Sequence, residues 1–335
     1  MIQVFRKFDR PNSVTKLYAN IHDEISKNHL VDQIFCPNPN SGILNKIRNI
    51  VWLYKSPGHF FHLTGDNSYL GWALICRRCP YLVTLLDFGM PGRRRWIHNV
   101  IISFFYFSIP LFFAKRIICI SEFTKMELFR KYKRYEGKSY VIYVSLSENY
   151  IINYGFHETV ENIDDAIYVL QIATSDHNKN VERCITAMAN TGYCYLFVGD
   201  LSMEYIALLN DFNVNYFCFK NINEEKLIEL YDKSTILLFP SLYEGFGMPI
   251  IEAQARGISV ITSNIPPMSE IAGEGAILVD PYNVNDINNA LMRLGADFNL
   301  RLGLKKKGFK NIDRFSPKFI AEQHVTLYKW IEKIF

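Results

Sequence analysis

The stretch from Thr235 to Gly257 limits the fold of this chain more than any other. It opens with an apolar run, TILLF, that ends at a Pro-Ser pair, as expected of a buried strand followed by a loop. Gly245 and Gly247 lie in that loop and permit positive φ or a close backbone approach. Pro249 suits the first position of a helix, and the closing glycine suits the C′ position. The stretch therefore predicts a strand, a glycine loop and a helix in succession.

The end of the predicted loop has the properties of an anion site. Backbone N–H groups from Gly247 to Ile250 and the positive end of the helix dipole point toward the same place. Glu244 in the loop and Glu252 in the helix frame it, with seven residues between them. The simpler alternative is that Glu252 only complements a helix N-terminus, worth roughly 0.3–1 kcal/mol, and that the glycines only make the turn.

This pattern resembles the E-x7-E signature of retaining glycosyltransferases of family 4 (glycosyl transferases group 1), and the resemblance continues through Val260 to Ile287. It is specific over about the last half of the chain and looser over the first. It implies an α/β chain of the GT-B superfold, with two Rossmann-like, doubly wound parallel-sheet domains facing a central cleft. In that family the first glutamate touches the transferred sugar and the second holds the ribose hydroxyls. Those roles fall on Glu244 and Glu252, with Gly245, Phe246, Gly247 and Met248 cradling sugar and phosphate.

Two further turns of the second half resemble donor-binding segments of the family. The sequence TSDHNKN, after an apolar run at 167–173, is similar to the phosphate-binding turn. The resemblance makes Lys179 the cation that meets the diphosphate, with Thr174 in the region where many members have an arginine. It also puts Ile222, in the turn 220–223, where the base rests. A solvated lysine at a helix start is the alternative for Lys179.

The first half alternates short apolar runs with helical patterns, which indicates βαβ units and a parallel sheet. Polar side chains at two strand ends, His62, Asp66 and Asp87, are the nearby cleft candidates, with Asp87 counted among the catalytic ones. Leu86 occupies the position where the family usually has a histidine near the donor sugar. Ser13, in a basic loop without glycine, is a candidate for an acceptor hydroxyl or phosphate. A core or turn role is the alternative for the strand-end residues, and a plain N-cap for Ser13.

The domain division follows from these patterns. We expect an acceptor domain over 1–150, a polar linker over 151–165 and a nucleotide-sugar domain over 166–314. We expect the helix in 315–335 to return to the first domain.

Charge and cysteine content bear on partners and location. Of the net charge of +4, residues 1–150 carry 21 Lys/Arg against 10 Asp/Glu, and the remainder carries 16 against 23. The basic half suits nucleic acid, a phosphorylated acceptor or an acidic membrane.

Seven irregularly spaced cysteines and no secretory leader at the first residue predict a cytoplasmic protein. The lone C-x-x-C at Cys76 and Cys79 lacks a second pair, and we interpret it as two ordinary thiols.

The segment 92–116 is a second candidate for membrane contact. Its apolar part is shorter than the roughly 20 residues that span a bilayer, and Pro110 interrupts it. Arg93, Arg94, Arg95 and Trp96 precede it, which is typical of an interfacial helix on anionic lipid. Burial in the first domain is the alternative, with the arginines still able to meet a membrane or a lipid-linked phosphate.

The resemblance implies transfer of a hexose from a UDP- or GDP-sugar to a hydroxyl of a glycan, with retention. The resemblance further implies a lipid-linked glycan of bacterial surface polysaccharide assembly (O-antigen, capsule or lipopolysaccharide) as the acceptor. It implies no nucleic-acid partner, and a cytoplasmic protein with peripheral contact at the inner face of the membrane. The sequence contains no D-x-D motif, so we expect no metal and no cofactor. No side chain is placed as a nucleophile, which favours a front-face reaction. A nucleotide-sugar epimerase or a non-catalytic sugar-nucleotide-binding subunit remains the alternative.

Overall fold

The computed structural model describes residues 2–5, 21–39, 42–65, 67–87, 104–151, 166–174 and 176–333. The chain divides into two units. Unit 1 comprises Met1–Ser145 together with Ser316–Phe335, and unit 2 is Leu146–Phe315.

Unit 1 is built on a parallel sheet. Its six strands are β1 (Ile2–Phe5), β2 (Asp32–Phe35), β3 (Phe61–Leu63), β4 (Tyr81–Leu85), β5 (Arg116–Cys119) and β6 (Ser139–Val141). They are ordered β2-β1-β3-β4-β5-β6, and every pair is parallel. The order reverses between β1 and β3, which makes that edge a topological switch point.

Helices connect the strands of unit 1, since parallel neighbours need crossover connections. They are residues 21–26 (α1), Ile43–Lys55 (α2), Gly71–Cys76 (α3), Ile109–Phe113 (α4) and Glu122–Lys131 (α5). Ser121 caps α5 by accepting a hydrogen bond from the Thr124 N–H at 3.0 Å, as its sequence predicts. The last helix of the chain, α13 (Pro317–Glu332), buries Ile320 and Ile331 in one cluster with Phe5, Leu82 and Ile118.

Unit 2 is a second parallel sheet. Its strands are β7 (Tyr168–Ile172), β8 (Cys194–Val198), β9 (Tyr216–Phe219), β10 (Ile236–Phe239), β11 (Ser259–Ser263) and β12 (Ala276–Val279). The order is β12-β11-β10-β7-β8-β9. Read from β9, this is the 3-2-1-4-5-6 order of the dinucleotide-binding fold, in which ligands bind where the order reverses. Here that point lies between β7 and β10, which pair through Val169 and Ile236.

The helices of unit 2 are α6 (Val181–Met188), α7 (Met203–Asp211), α8 (Glu224–Lys233), α9 (Met248–Ala255), α10 (Met268–Ala272), α11 (Val284–Ala296) and α12 (Phe298–Ile312). A core of side chains from the sheet, α6 and α11 lies between them, including Cys184, Phe197, Leu238 and Leu291.

The predicted α/β class with two parallel sheets is confirmed, and so is the strand, glycine loop and helix at 235–257. The helix begins at Met248, so Pro249 occupies its second position rather than the first. Gly247 is the N-cap with φ of 113°, and Gly257 follows the helix with φ of 73°. Sequence reasoning missed β11, α7, α10 and α12.

Candidate nucleotide-sugar site

Two loops meet at the switch point of unit 2, one after β7 and one after β10. The Asn178 carbonyl oxygen accepts a hydrogen bond from the Leu242 N–H at 2.7 Å. The Asn178 side-chain amide donates to the Tyr243 carbonyl oxygen at 3.0 Å. These bonds hold the two loops together at the carboxyl ends of neighbouring strands, where ligands of such sheets bind.

Lys179 and Glu244 form an ion pair across these loops. The ammonium Nζ lies 2.7 Å from the carboxylate Oε1, and the two side chains are only 21% and 13% exposed. The same ammonium lies over the Phe239 ring, 5.7 Å from its centroid. The structure thus brings together two of the three charged residues that the sequence singled out in this half.

The backbone at Lys179 is fixed by residues on both sides. Asn180 takes a left-handed conformation with φ of 57°. Its side-chain amide donates to the Pro240 and Pro281 carbonyl oxygens at 2.9 and 2.7 Å. Gln171 donates to the Lys179 carbonyl oxygen at 3.1 Å and accepts a hydrogen bond from the Tyr195 hydroxyl. Buried amide groups therefore hold the turn that carries the cation.

Glu252, in α9, is held by a tyrosine that the sequence did not single out. The Tyr231 hydroxyl donates to Glu252 Oε2 at 2.7 Å. Tyr231 is fully buried in α8, and burial, followed by the nearby Glu252 charge, raises its pKa well above the usual value. The Tyr150 ring meets the Tyr231 ring edge-on at 5.8 Å. A buried hydroxyl that remains protonated is a permanent donor, so it orients one oxygen of this carboxylate.

The glycine loop offers fewer amide donors than its sequence predicted. The Ile250 N–H donates to the Gly247 carbonyl oxygen at 3.0 Å, and Pro249 has no N–H. Within the described residues, the Gly247 and Met248 amides are the ones in this turn left to meet a ligand. Phe246 is buried with its ring edge-on to Phe315 at 5.8 Å, so its part at the site is limited to its backbone. Gly245 precedes it in the same loop.

Thr174 and Ile222 lie in turns that follow β7 and β9. Thr174 donates a hydrogen bond to Asp176 Oδ2 at 2.7 Å. Gly199, after β8, lies so close to Ala173 that a Cβ there would be 1.8 Å from the Ala173 carbonyl oxygen. Ile222 is half-buried.

His62, in unit 1, is a core residue. It is fully buried, and its ring nitrogens lie 2.8 Å from the Tyr328 hydroxyl and 2.7 Å from Thr84 Oγ1. The expectation that it lines an acceptor site is therefore corrected, because α13 covers it. Asp87 is half-buried after β4.

Six candidate residues from the sequence lie outside the described residues: Ser13, Asp66, Arg93, Arg94, Arg95 and Trp96. Among the described residues no group of three or more His, Cys, Asp or Glu side chains could hold a metal ion. None of the described helices is long and apolar enough to cross a membrane.

Residues 156–311, which include the whole site in unit 2, match the family described as Glycosyl transferases group 1. The match covers 156 of the chain's 335 residues. Among curated relatives, the chain is 23% identical over 239 residues to O-antigen chain mannosyltransferase B of Escherichia coli, covering 64% of this chain and 61% of the relative. The matches span between 12% and 61% of the length of the first five relatives.

Solved structures show the same fold over all or nearly all of the chain. Sucrose-phosphate synthase from Thermosynechococcus elongatus superimposes with a TM-score of 0.81 at 18% identity, covering 100% of both chains. Anabaena HepE in complex with UDP-glucose gives 0.74 at 14% identity, covering 98% of this chain and 99% of its own. The expected GT-B fold is thereby confirmed.

Proposed function

We propose that this protein transfers a hexose from a nucleotide sugar, linked to UDP or GDP, to a hydroxyl group of a glycan, with retention at the anomeric carbon. The observation that carries the proposal is the ion pair between Lys179 and Glu244. It joins the two loops at the switch point of unit 2, where this sheet order binds nucleotides.

In this proposal each charged group has one task. The Lys179 ammonium offsets the charge that develops on the departing diphosphate, together with the Gly247 and Met248 amides at the start of α9. Glu244 accepts hydrogen bonds from hydroxyls of the transferred sugar. Glu252, oriented by Tyr231, accepts from the ribose hydroxyls. Thr174 and Ile222 line the phosphate and base ends of the same site.

Retention follows from a front-face reaction in this proposal. The acceptor hydroxyl attacks the anomeric carbon from the side on which the nucleotide leaves, and the departing phosphate oxygen takes up its proton. The bond to the nucleotide breaks as the bond to the acceptor forms, so no enzyme nucleophile is needed. We propose Asp87, in unit 1, as a further catalytic residue.

We propose a lipid-linked glycan of bacterial surface polysaccharide assembly as the acceptor, at the cytoplasmic face of the membrane. The support is the basic first half of the chain and the relative whose name is O-antigen chain mannosyltransferase B. No nucleic-acid partner is proposed.

Nucleotide release in the presence and absence of acceptor tests the proposal. The intact protein would be incubated with UDP-glucose, UDP-galactose, UDP-N-acetylglucosamine and GDP-mannose, with and without a lipid-linked acceptor extract. We expect release of UDP or GDP with one donor, only when acceptor is present, and none from Glu244→Gln. An isomerised sugar without acceptor would identify an epimerase instead. Binding without turnover across the whole panel would favour a non-catalytic subunit.

A further inference from the structure

Helix α2 (Ile43–Lys55) has an apolar face that no other described part of the chain covers. Five apolar side chains on this helix are between 48% and 74% exposed: Ile43, Leu44, Ile47, Val51 and Tyr54. At 3.6 residues per turn they fall within an arc of about 100°. The buried residues of the helix, Asn49 and Leu53, lie on its opposite side. The exposed arc is therefore one continuous apolar stripe on the surface of unit 1.

The side of α2 that faces unit 1 is well held, so the stripe is not the result of a loosely attached helix. The Asn49 side-chain amide donates to the Tyr69 hydroxyl at 3.2 Å and to the Asn38 carbonyl oxygen at 3.0 Å. The Lys46 ammonium lies over the Tyr106 ring, 4.5 Å from its centroid. The helix thus presents the stripe in a fixed orientation.

Cations flank the stripe. Arg48 and Lys55 are exposed and follow the apolar arc around the helix at its edge. The sequence contains no Asp or Glu between Asp32 and Asp66, so the helix carries only positive charge. An apolar stripe bordered by cations on a helix without acids is the pattern of a helix that lies in a membrane interface.

We propose that the exposed face of α2 is a docking surface for an anionic phospholipid bilayer. The apolar side chains enter the boundary between headgroups and acyl chains, and Arg48 and Lys55 meet lipid phosphates. The excess of Lys and Arg in residues 1–150 adds long-range attraction to the same membrane.

Charge decides between this partner and a second copy of the chain. Isologous contact through the stripe would place Arg48 and Lys55 of one copy near those of the other, with no carboxylate of α2 to pair with them. An anionic bilayer accepts both the apolar stripe and its cationic border. The inference deepens the proposed function by naming the surface that brings the protein to a lipid-linked acceptor, but it does not depend on the transfer reaction.

Vesicle binding without any nucleotide sugar tests it. The intact protein would be co-sedimented with vesicles of phosphatidylcholine alone and with vesicles that also contain phosphatidylglycerol. We expect binding to the anionic vesicles that weakens with added salt. Arg48→Gln with Lys55→Gln should reduce it about 30-fold, at about 1 kcal/mol for each cation. Ile47→Ser with Val51→Ser should reduce it about tenfold.

Matched exposed residues in unit 2 provide the controls. Met203→Ser with Phe217→Ser removes exposed apolar side chains, and Lys306→Gln with Lys310→Gln removes exposed cations. Neither pair should alter vesicle binding, and no α2 variant should alter nucleotide affinity. Lack of vesicle binding by the intact protein, or equal binding by the α2 variants, would overturn the proposal. A dimer in sedimentation velocity that Ile47→Ser with Val51→Ser dissociates would assign the stripe to self-association instead.

Discussion

Lys179 Nζ and Glu244 Oε1 lie 2.7 Å apart although 65 positions separate the two residues in the chain. The contact exists because β7 and β10 are neighbours in the sheet of unit 2 and their following loops leave the same edge. A diphosphate that approaches Lys179 competes with Glu244 for the ammonium. Donor binding is therefore expected to rearrange this pair, which leaves the carboxylate to accept from sugar hydroxyls.

Replacing Lys179 with alanine should slow transfer without unfolding the protein. The side chain is part-buried. In the proposed reaction its loss removes positive charge that offsets the charge on the leaving group. Removal of one such group lowers kcat by a factor of about 10²–10³. The value of kcat is measured from the steady-state rate of nucleotide release, with Lys306→Ala on α12 as the exposed control. Equal kcat in Lys179→Ala and the intact protein would refute the assignment.

Replacing Tyr231 with phenylalanine should weaken nucleotide binding. The change keeps the buried ring and removes only the hydroxyl that orients Glu252. A hydrogen bond to a charged group contributes about 1.5–3 kcal/mol, so we expect affinity for the nucleotide to fall about 10- to 100-fold. Titration calorimetry measures the change.

Two comparisons separate a positioning role of Tyr231 from a purely structural one. Tyr231→Phe and Glu252→Gln should weaken binding by similar amounts, and the double variant should add little to either. Tyr216→Phe, at a half-buried position in β9, should leave affinity unchanged. Additive losses in the double variant would show that Tyr231 does not act through Glu252.

Replacing Gly199 with alanine should destabilise unit 2. Its φ is 144°, and a Cβ would lie 1.8 Å from the Ala173 carbonyl oxygen, in the turn that precedes Thr174. Urea unfolding followed by far-UV circular dichroism should show that the free energy of unfolding falls by about 3 kcal/mol or more. Gly303→Ala is the control, because no atom lies within 4 Å of the added Cβ on α12. For Gly303→Ala we expect the free energy of unfolding to rise by about 0.5–1 kcal/mol.

Unit 1 should lose stability in mild acid because of His62 and His324. Burial lowers the pKa of His324 to about 4, and burial, followed by the charge of His324, lowers the pKa of His62 well below 6.5. Below pH 6.5 the unfolded chain takes up protons that the folded chain does not, so stability is fully present above pH 6.5 and falls toward pH 4. The loss is about 3 kcal/mol for His324 alone.

Tryptophan fluorescence can follow this acid effect, since all four tryptophans lie within unit 1. Urea midpoints measured at pH 7.5 and pH 5 should differ for the intact protein and differ less for His324→Gln. A midpoint of the intact protein that does not change between these pH values would contradict the assignment.

Local patterns predicted the strand, glycine loop and helix of the candidate site in unit 2 because these elements are contiguous in sequence. The run from Thr235 to Gly257 contains a strand, a positive-φ glycine and a helix start, and these residues form those elements in the structure. The family resemblance gave Lys179 and Glu244 separate roles at one donor site, and no sequence pattern predicted the ion pair between them. The fold explains it afterwards, since their strands are adjacent.

The residues that sequence reasoning misplaced depend on distant partners. His62 ends a strand in a polar sequence, HLTGD, but α13, about 260 positions later, supplies Tyr328 and covers it. Tyr231 belongs to no motif, and its bond to Glu252 becomes visible only when α8 and α9 are placed beside the same sheet. A single sequence, taken alone, contains no signal for either contact.

Unit 1 needs helix α13 to complete its core, and this helix is synthesised after unit 2. Its residues Ile320, Tyr328 and Ile331 complete the cluster around Phe5, Leu82 and Ile118, yet they follow the whole of unit 2 in the chain. A ribosome therefore finishes unit 2 before it supplies the cover for one face of the first sheet. The nascent chain must shield that face until α13 has been synthesised, and a premature stop within α13 would expose apolar side chains in the part of the protein that was made first.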